Sequence, residues 1–159
     1  MRPVRSALQG AIAGAAATVA MSAFVEVGRR SGTIGRHPPK LITRTLLPSG
    51  FPSRPRRGED AATTAVHLGI GMSAGAVFGL LTGQRRPRRI SGALYGLAVW
   101  LAGYEGWAPV IGAQPPAHRD APGRAWTMAA AHVVYGMVLA GTLRVLRGRR
   151  PVVEADASD

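Results

Sequence analysis

Four stretches of the sequence carry almost no charge, and they constrain the fold more than any other feature. They are residues 7–25, 61–84, 90–104 and 125–143. A transmembrane helix needs about 20 mostly apolar residues, whereas helices buried in soluble proteins are usually shorter. Three stretches reach that length, and the stretch at 90–104 reaches it only if it includes Glu105 and continues toward Ile111. The sequence therefore predicts a membrane protein with four spans.

Such spans must be α-helical, because every backbone polar group in hydrocarbon has to be paired within the protein. The predicted fold class is all-α, an integral membrane four-helix bundle that occupies residues 1–150. We expect helices at about residues 7–28, 61–83, 90–110 and 125–146, a long basic loop at 29–60, and a disordered acidic tail at 151–159. The QRRPRR connection is very short, so the second and third helices must be antiparallel neighbours.

The net charge of +12 has two interpretations. Basic proteins often bind nucleic acid, but here the arginines flank the apolar stretches, and no motif for binding RNA or DNA is present. Arginines in such positions anchor helices and attract anionic lipid headgroups. We therefore expect the lipid bilayer and anionic lipids as partners, and no nucleic acid. The absence of cysteine excludes disulfides and thiolate metal sites.

The two halves of the chain share four features in the same order, although the spacings differ. This pattern predicts a weak two-fold repeat of helix pairs, in which both halves have the same orientation. It also favours retention of the first apolar stretch over its removal as a signal peptide. The paired features are Gly10–Gly14 with Gly92–Gly96, Glu26 with Glu105, the double prolines of HPPK and QPPA, and the His-x-x-x-Gly-Met motifs that begin at His67 and His132.

Small residues recur at every fourth position, so they share a helix face. Such faces let helices approach closely in lipid, and polar residues on them are expected to face neighbouring helices. The predicted packing residues are Gly10, Gly14, Gly71, Gly75, Gly79, Gly83, Gly92, Gly96 and Gly136. Thr18, Ser22 and Glu26 continue the face of the first helix, and His67 and His132 begin the faces of the second and fourth.

The order of these motifs resembles the YagU-like family of small bacterial inner-membrane proteins. The matching residues are Glu26 with Pro38, Pro39 and Lys40; Gly92–Gly96; Gly112–Pro116; and Ala131–Val133 leading to Arg144, Arg147 and Arg149. The resemblance implies a four-helix protein of the bacterial inner membrane, from a family without an established activity. It implies no catalytic residue.

The residues Glu26, Glu105, His67 and His132 all belong to one face of the membrane, together with His37 and His118 on the loops. Three interpretations remain open. The four side chains can form structural hydrogen bonds between helices. They can bind a divalent metal, or His67 and His132 can ligate haem axially, with Gly71 and Gly136 leaving room for the macrocycle. Finally, they can carry a proton-linked role.

No phosphate loop, nucleophile elbow or His-Glu-x-x-His motif is present, so we expect no catalytic residues. The function most consistent with the pattern is a non-enzymatic accessory or assembly subunit that packs with other membrane subunits or with itself. Ten basic residues fall on each side of the predicted spans. Basic residues in short loops have the largest influence on membrane orientation, and QRRPRR is the shortest loop and has the highest density of basic residues. We therefore expect both termini in the cytoplasm.

Overall fold

The computed structural model describes residues 2–30, 59–110, 119 and 122–148. Over these residues the chain forms four long helices: α1 (Arg2–Arg30), α2 (Glu59–Thr82), α3 (Arg89–Leu101) and α4 (Pro122–Gly148). The predicted all-α fold class is therefore confirmed. Most of the predicted basic loop, the predicted acidic tail, His37 and His118 lie outside the described residues.

Three of the helices are long and apolar enough to cross a membrane: Arg2–Arg30, Ala61–Thr82 and Gly123–Gly148. Their outer faces carry large hydrophobic side chains that are more than half exposed, including Ile12, Leu81 and Val145. A continuous apolar surface of this kind is unfavourable in water and favourable in lipid. These apolar helices make the chain a membrane protein, as the uncharged stretches predict.

Helix α3 is shorter than the helix that the sequence predicts at 90–110. It has 13 residues and continues as a π-helical segment, Ala102–Trp107, followed by a short α-helical turn, Ala108–Val110. Within the π-helical segment, Gly106 has φ −94° and ψ −105°, which lie outside the helical region, so the chain kinks there. Hydropathy does not report such a change in hydrogen-bond pattern, so the sequence predicts the extent of the helical segment, 90–110, but not the kink within it.

The helices form two antiparallel hairpins, α1–α2 and α3–α4, which pack side by side through α1 and α4. In the first hairpin, Gly10 lies against Gly75 and Gly14 against Gly71. Because the numbers rise on one helix as they fall on the other, the two helices are antiparallel. The second hairpin follows the same rule, with Gly92 against Gly136 and Gly96 against the backbone of His132.

The core lies mainly between α1 and α4. Ala13 and Ala17 of α1 are fully buried, and so are Leu139 and Leu143 of α4. Alanines on one helix leave space that leucines on the other can fill, which gives dense packing without polar atoms. This interface joins the two hairpins into one bundle.

The turn between α2 and α3 begins at Gly83, the only described residue with a positive φ, +54°. Glycine adopts this left-handed conformation without steric cost, and it commonly ends helices in this way. A Cβ atom at Gly83 would meet nothing within 4 Å. Gly83 thus ends α2 and does not continue the predicted packing face.

Arg147 of α4 closes the carboxyl end of α2. Its guanidinium group donates to the Thr82 hydroxyl at 3.0 Å, to the Gly79 carbonyl at 3.2 Å and to the Arg85 carbonyl. The last carbonyls of a helix have no partner within the helix, and they attract a positive charge. We refer to this end of the bundle as the basic end; it carries Arg2, Arg5, Arg85, Arg86, Arg88, Arg89, Arg144 and Arg147.

Candidate functional site

A small cavity of about 40 Å³ lies where all four helices meet. Its volume is enough for a few water molecules at most, since one water needs at least about 10–15 Å³ of such space. The cavity is lined by Thr18 and Met21 of α1, His67, Ile70, Gly71 and Ala74 of α2, Val99 of α3, and His132 and Tyr135 of α4. The structure therefore brings the two predicted histidines to one place.

The two histidines lie at the same level of the bundle. Hydrogen bonds between α2 and α4 join Gly71 with Tyr135 and Thr82 with Arg147, pairs that are 64 and 65 residues apart. His67 and His132 are separated by a similar number of positions. They lie eight residues after the start of α2 and ten residues after the start of α4, about 12 and 15 Å along the helices. The cavity is therefore nearer the end opposite the basic end.

The ring of His132 is fixed by its own helix. Its Nδ1 atom lies 2.8 Å from the carbonyl oxygen of Met128. A carbonyl can only accept a hydrogen bond, so Nδ1 carries the proton in this arrangement and the neutral ring has its lone pair on Nε2. Within the described residues, His67 has no hydrogen-bond partner for either ring nitrogen.

Two hydroxyl groups complete the polar lining of the cavity. Tyr135 donates to the carbonyl of Gly71 at 2.7 Å, and Thr18 donates to the carbonyl of Gly14 at 2.8 Å. Tyr135 and Met21 are site residues that the sequence motifs did not predict. The available signal was their spacing, because Tyr135 follows His132 by three positions and Met21 follows Thr18 by three, which places each pair on one side of a helix.

The predicted packing glycines lie at close backbone contacts between helices, except Gly83. A Cβ atom at Gly10, Gly14 or Gly79 would collide with the backbone carbonyl of the facing helix. The same holds for Gly75 against Gly10, and for Gly92, Gly96 and Gly136 in the second hairpin, whereas a Cβ atom at Gly71 would collide with the Thr18 hydroxyl. These contacts fix the depth of the histidines, because Gly96 rests directly on the carbonyl of His132.

The sequence repeat predicts that the two hairpins pair their helices at equivalent positions, but in the structure these positions differ by one helical turn. In the first hairpin Gly14 faces Gly71, whereas in the second the equivalent Gly96 faces His132. The sequence motif instead pairs His132 with His67, four residues before Gly71. The Gly-x-x-x-Gly match and the His-x-x-x-Gly-Met match therefore cannot be superposed together. Both halves keep the same kind of hairpin, but at shifted positions.

The predicted four-residue cluster does not assemble. Glu26 binds arginines of its own helix, with distances of 2.7 Å to Arg29 and 2.8 Å to Arg30, and it is about one-third exposed. Glu26 does not line the cavity that His67 and His132 share. Glu105 lies in the π-helical segment and is exposed. The described part of the chain contains no group of three histidine or acidic residues that could hold a metal ion.

The structure also shows what occupies the space beside the two motif glycines. The Thr18 side chain covers Gly71, and the backbone of Gly92 covers Gly136. A macrocycle therefore has no room at these glycines. Pockets that hold drug-sized ligands measure about 300–1,000 Å³, far more than the cavity between the histidines.

The sequence was compared with known families, curated proteins and solved structures. No curated protein and no solved structure matches it. The YagU-like resemblance is not among the matches and remains a prediction. Residues 4–153 match a family of unknown function, DUF6789. This match covers all four helices, and the chain accordingly belongs to the DUF6789 family of unknown function.

Proposed function

We propose that this protein is a non-enzymatic accessory or assembly subunit that docks a further transmembrane helix against α2. The observation that carries the proposal is a face of small residues on the outer side of α2. Ala61, Ala65, Gly69 and Ser73 recur at every fourth position, and all four are exposed. A Cβ atom at Gly69 would meet nothing within 4 Å. Small residues on a lipid-facing surface allow another helix to approach closely.

The opposite face of α2 provides the comparison. Gly71, Gly75 and Gly79 have the same spacing, and each is filled by α1. Only 17% of the apolar window of α2 is buried within the bundle, against 39% for the windows of α1 and α4. Thus α2 has one small-residue face in use and a second one open, and of the three candidate spans it is the least buried by the described residues.

Cysteine cross-linking tests the docking face, because the chain contains no cysteine. A Gly69→Cys variant that is oxidised in native membranes should form a disulfide if the partner is a second copy of the chain. If the partner is a different subunit, a maleimide cross-linker attached to Cys at this position should join the two, and mass spectrometry should identify the partner. Ile12→Cys, on the lipid-facing side of α1, is the matched control. Equal cross-linking of the two variants would overturn the proposal, and so would an unchanged complex size for Gly69→Leu in mild detergent.

The same proposal places both termini in the cytoplasm of a bacterium, with the protein in its inner membrane. Among the described residues the basic end has eight arginines and no acidic residue. At the opposite end, four arginines (Arg29, Arg30, Arg119 and Arg124) are balanced by four acidic residues (Glu26, Glu59, Asp60 and Glu105). The positive-inside rule favours the basic end as the cytoplasmic one.

Labelling with a membrane-impermeant maleimide in intact cells tests this orientation. Gly123→Cys, at the opposite end, should react, whereas Ser91→Cys, at the basic end, should react only after the cells are broken. The reverse pattern would show that the termini lie outside.

A second candidate function is the binding of a cation, either a proton or a metal ion, at the cavity between His67 and His132. The observation that favours it is the convergence of both imidazoles on one cavity inside an otherwise apolar bundle. Ionisable groups in such positions commonly serve ion or proton pathways. In proteoliposomes with a pH-sensitive dye, proton flux should fall for His67→Gln and stay unchanged for His37→Gln. Equal flux for these variants and the unmodified protein would count against a proton pathway.

A further inference from the structure

The donor atoms around the cavity are unusual for a metal site because they are all neutral. Two imidazoles, from His67 and His132, and the thioether side chain of Met21 line the same space. Among the residues that the structure describes, no carboxylate lines this space. Imidazole binds copper and other transition metals, and the soft thioether selects Cu(I) over hard cations such as Mg²⁺ and Ca²⁺.

The hydrogen bond that fixes the ring of His132 is one that metal-binding histidines commonly make. Histidines that bind metals usually donate their other ring N–H to a backbone carbonyl or a carboxylate, which fixes the tautomer and the ring orientation. The hydrogen bond from Nδ1 of His132 to the Met128 carbonyl, 2.8 Å long, is of this kind. It leaves the Nε2 lone pair available for a ligand.

The neutral ligands and the apolar surroundings determine which ionic charge the cavity favours. The cost of transferring an ion from water into a medium of low dielectric constant rises with the square of its charge, and for a single charge it is already several kcal/mol. Neutral ligands offer no compensating negative charge, so the transfer cost disfavours a divalent ion far more than a monovalent one. The cavity of about 40 Å³ accommodates a bare ion with a water molecule but no organic ligand.

We propose that His67, His132 and Met21 form a binding site for a monovalent soft metal ion, Cu(I), between the four helices. The site rests on the second candidate function above and is independent of the docking face on α2. Thr18 and Tyr135 line the same cavity and bind backbone carbonyls, so they shape the site without supplying charge.

The test is a titration of the full-length protein in nanodiscs with Cu(I), under anaerobic reducing conditions, in competition with a chromophoric Cu(I) chelator. We expect one equivalent of Cu(I) per chain. His67→Gln and His132→Gln should each weaken the affinity by about tenfold or more, the scale on which even outer-shell changes act. Met21→Leu, which conserves volume, should also weaken it. X-ray absorption should show sulfur scattering that this variant loses.

Matched controls keep the result interpretable. Met137→Leu changes an exposed methionine of α4 and should leave Cu(I) binding unchanged, as should the double variant His37→Gln/His118→Gln. Circular dichroism of each variant checks that the helices are retained. Affinity unchanged in His67→Gln and Met21→Leu, or Zn(II) bound more tightly than Cu(I), would overturn this inference. If Cu(I) fails to bind while His67 still controls proton flux, the second candidate function stands and only the metal assignment fails.

Discussion

The hydroxyl group of Tyr135 on α4 donates a hydrogen bond of 2.7 Å to the backbone carbonyl of Gly71 on α2. The same carbonyl oxygen lies against Gly14 of α1, where a Cβ atom would collide with it. One backbone group of α2 is therefore in contact with both α1 and α4, beside the two histidines. This contact ties the cavity to the packing of the bundle.

Removing the Tyr135 hydroxyl should destabilise the bundle modestly. Hydrogen bonds between transmembrane helices contribute about 0.6–2 kcal/mol, so Tyr135→Phe should lower the free energy of unfolding in detergent by about 1 kcal/mol. Tyr95→Phe, which removes a comparable bond from α3 to the Ala74 carbonyl, should act to a similar extent. A Tyr135→Phe variant as stable as the unmodified protein would show that water replaces the hydroxyl group.

Glycine substitutions should separate packed positions from open ones. Gly75→Ala and Gly136→Ala place a methyl group against the facing backbone, and overpacking of this kind typically costs about 1–3 kcal/mol. Gly141→Ala is the matched control, because a Cβ atom there meets nothing within 4 Å and alanine is the better helix former by up to about 1 kcal/mol. Unfolding free energies that fall equally for all three variants would contradict the close backbone contacts.

Arg147 should matter more than its neighbour Arg144. Hydrogen bonds to charged groups contribute about 1.5–3 kcal/mol, so Arg147→Met should lower stability by about 2 kcal/mol or more. Arg144 makes only one long contact, 3.5 Å to the Pro87 carbonyl, so Arg144→Met should have a small effect. The melting temperatures of the two variants, measured in the same detergent, provide the comparison. Equal decreases in melting temperature would mean that positive charge at the basic end stabilises the bundle and that the hydrogen bonds to the end of α2 do not.

Glu26→Gln should leave the fold and the cavity unaffected. Glu26 binds arginines one turn away on its own helix and does not line the cavity, and ion pairs at such partly exposed positions contribute little. Its replacement should therefore change neither the melting temperature nor Cu(I) binding. A loss of Cu(I) affinity in this variant would indicate that a carboxylate reaches the metal after all.

Much of the architecture could be predicted from hydropathy, because apolar length alone requires helices in lipid. The four-residue spacing of glycines likewise indicated which faces pack, from Gly10 on α1 to Gly136 on α4. The kink at Gly106 was not predictable, since it depends on backbone hydrogen bonds that composition does not encode.

The predicted site was partly recovered. His67 and His132 occupy the same position in two copies of one motif, which predicted that they lie at the same depth. In the structure both line one cavity. Glu26 does not line this cavity, and it pairs with Arg29 three positions further along α1, because an acidic residue near a helix end attracts nearby cations. Met21 could not be predicted as a site residue, because a methionine among alanines and valines has the same sequence pattern as a residue of the hydrophobic core.

The kink at Gly106 has a consequence for the surrounding membrane. The regular part of α3 has 13 residues and extends only about 20 Å, whereas the hydrocarbon core of a typical bilayer is about 30 Å thick. The π-helical segment and the short turn that follow therefore have to supply the rest of the span on this side of the bundle. Because a kinked segment offers less apolar height than a straight helix, the protein should be most stable in thin membranes with short acyl chains.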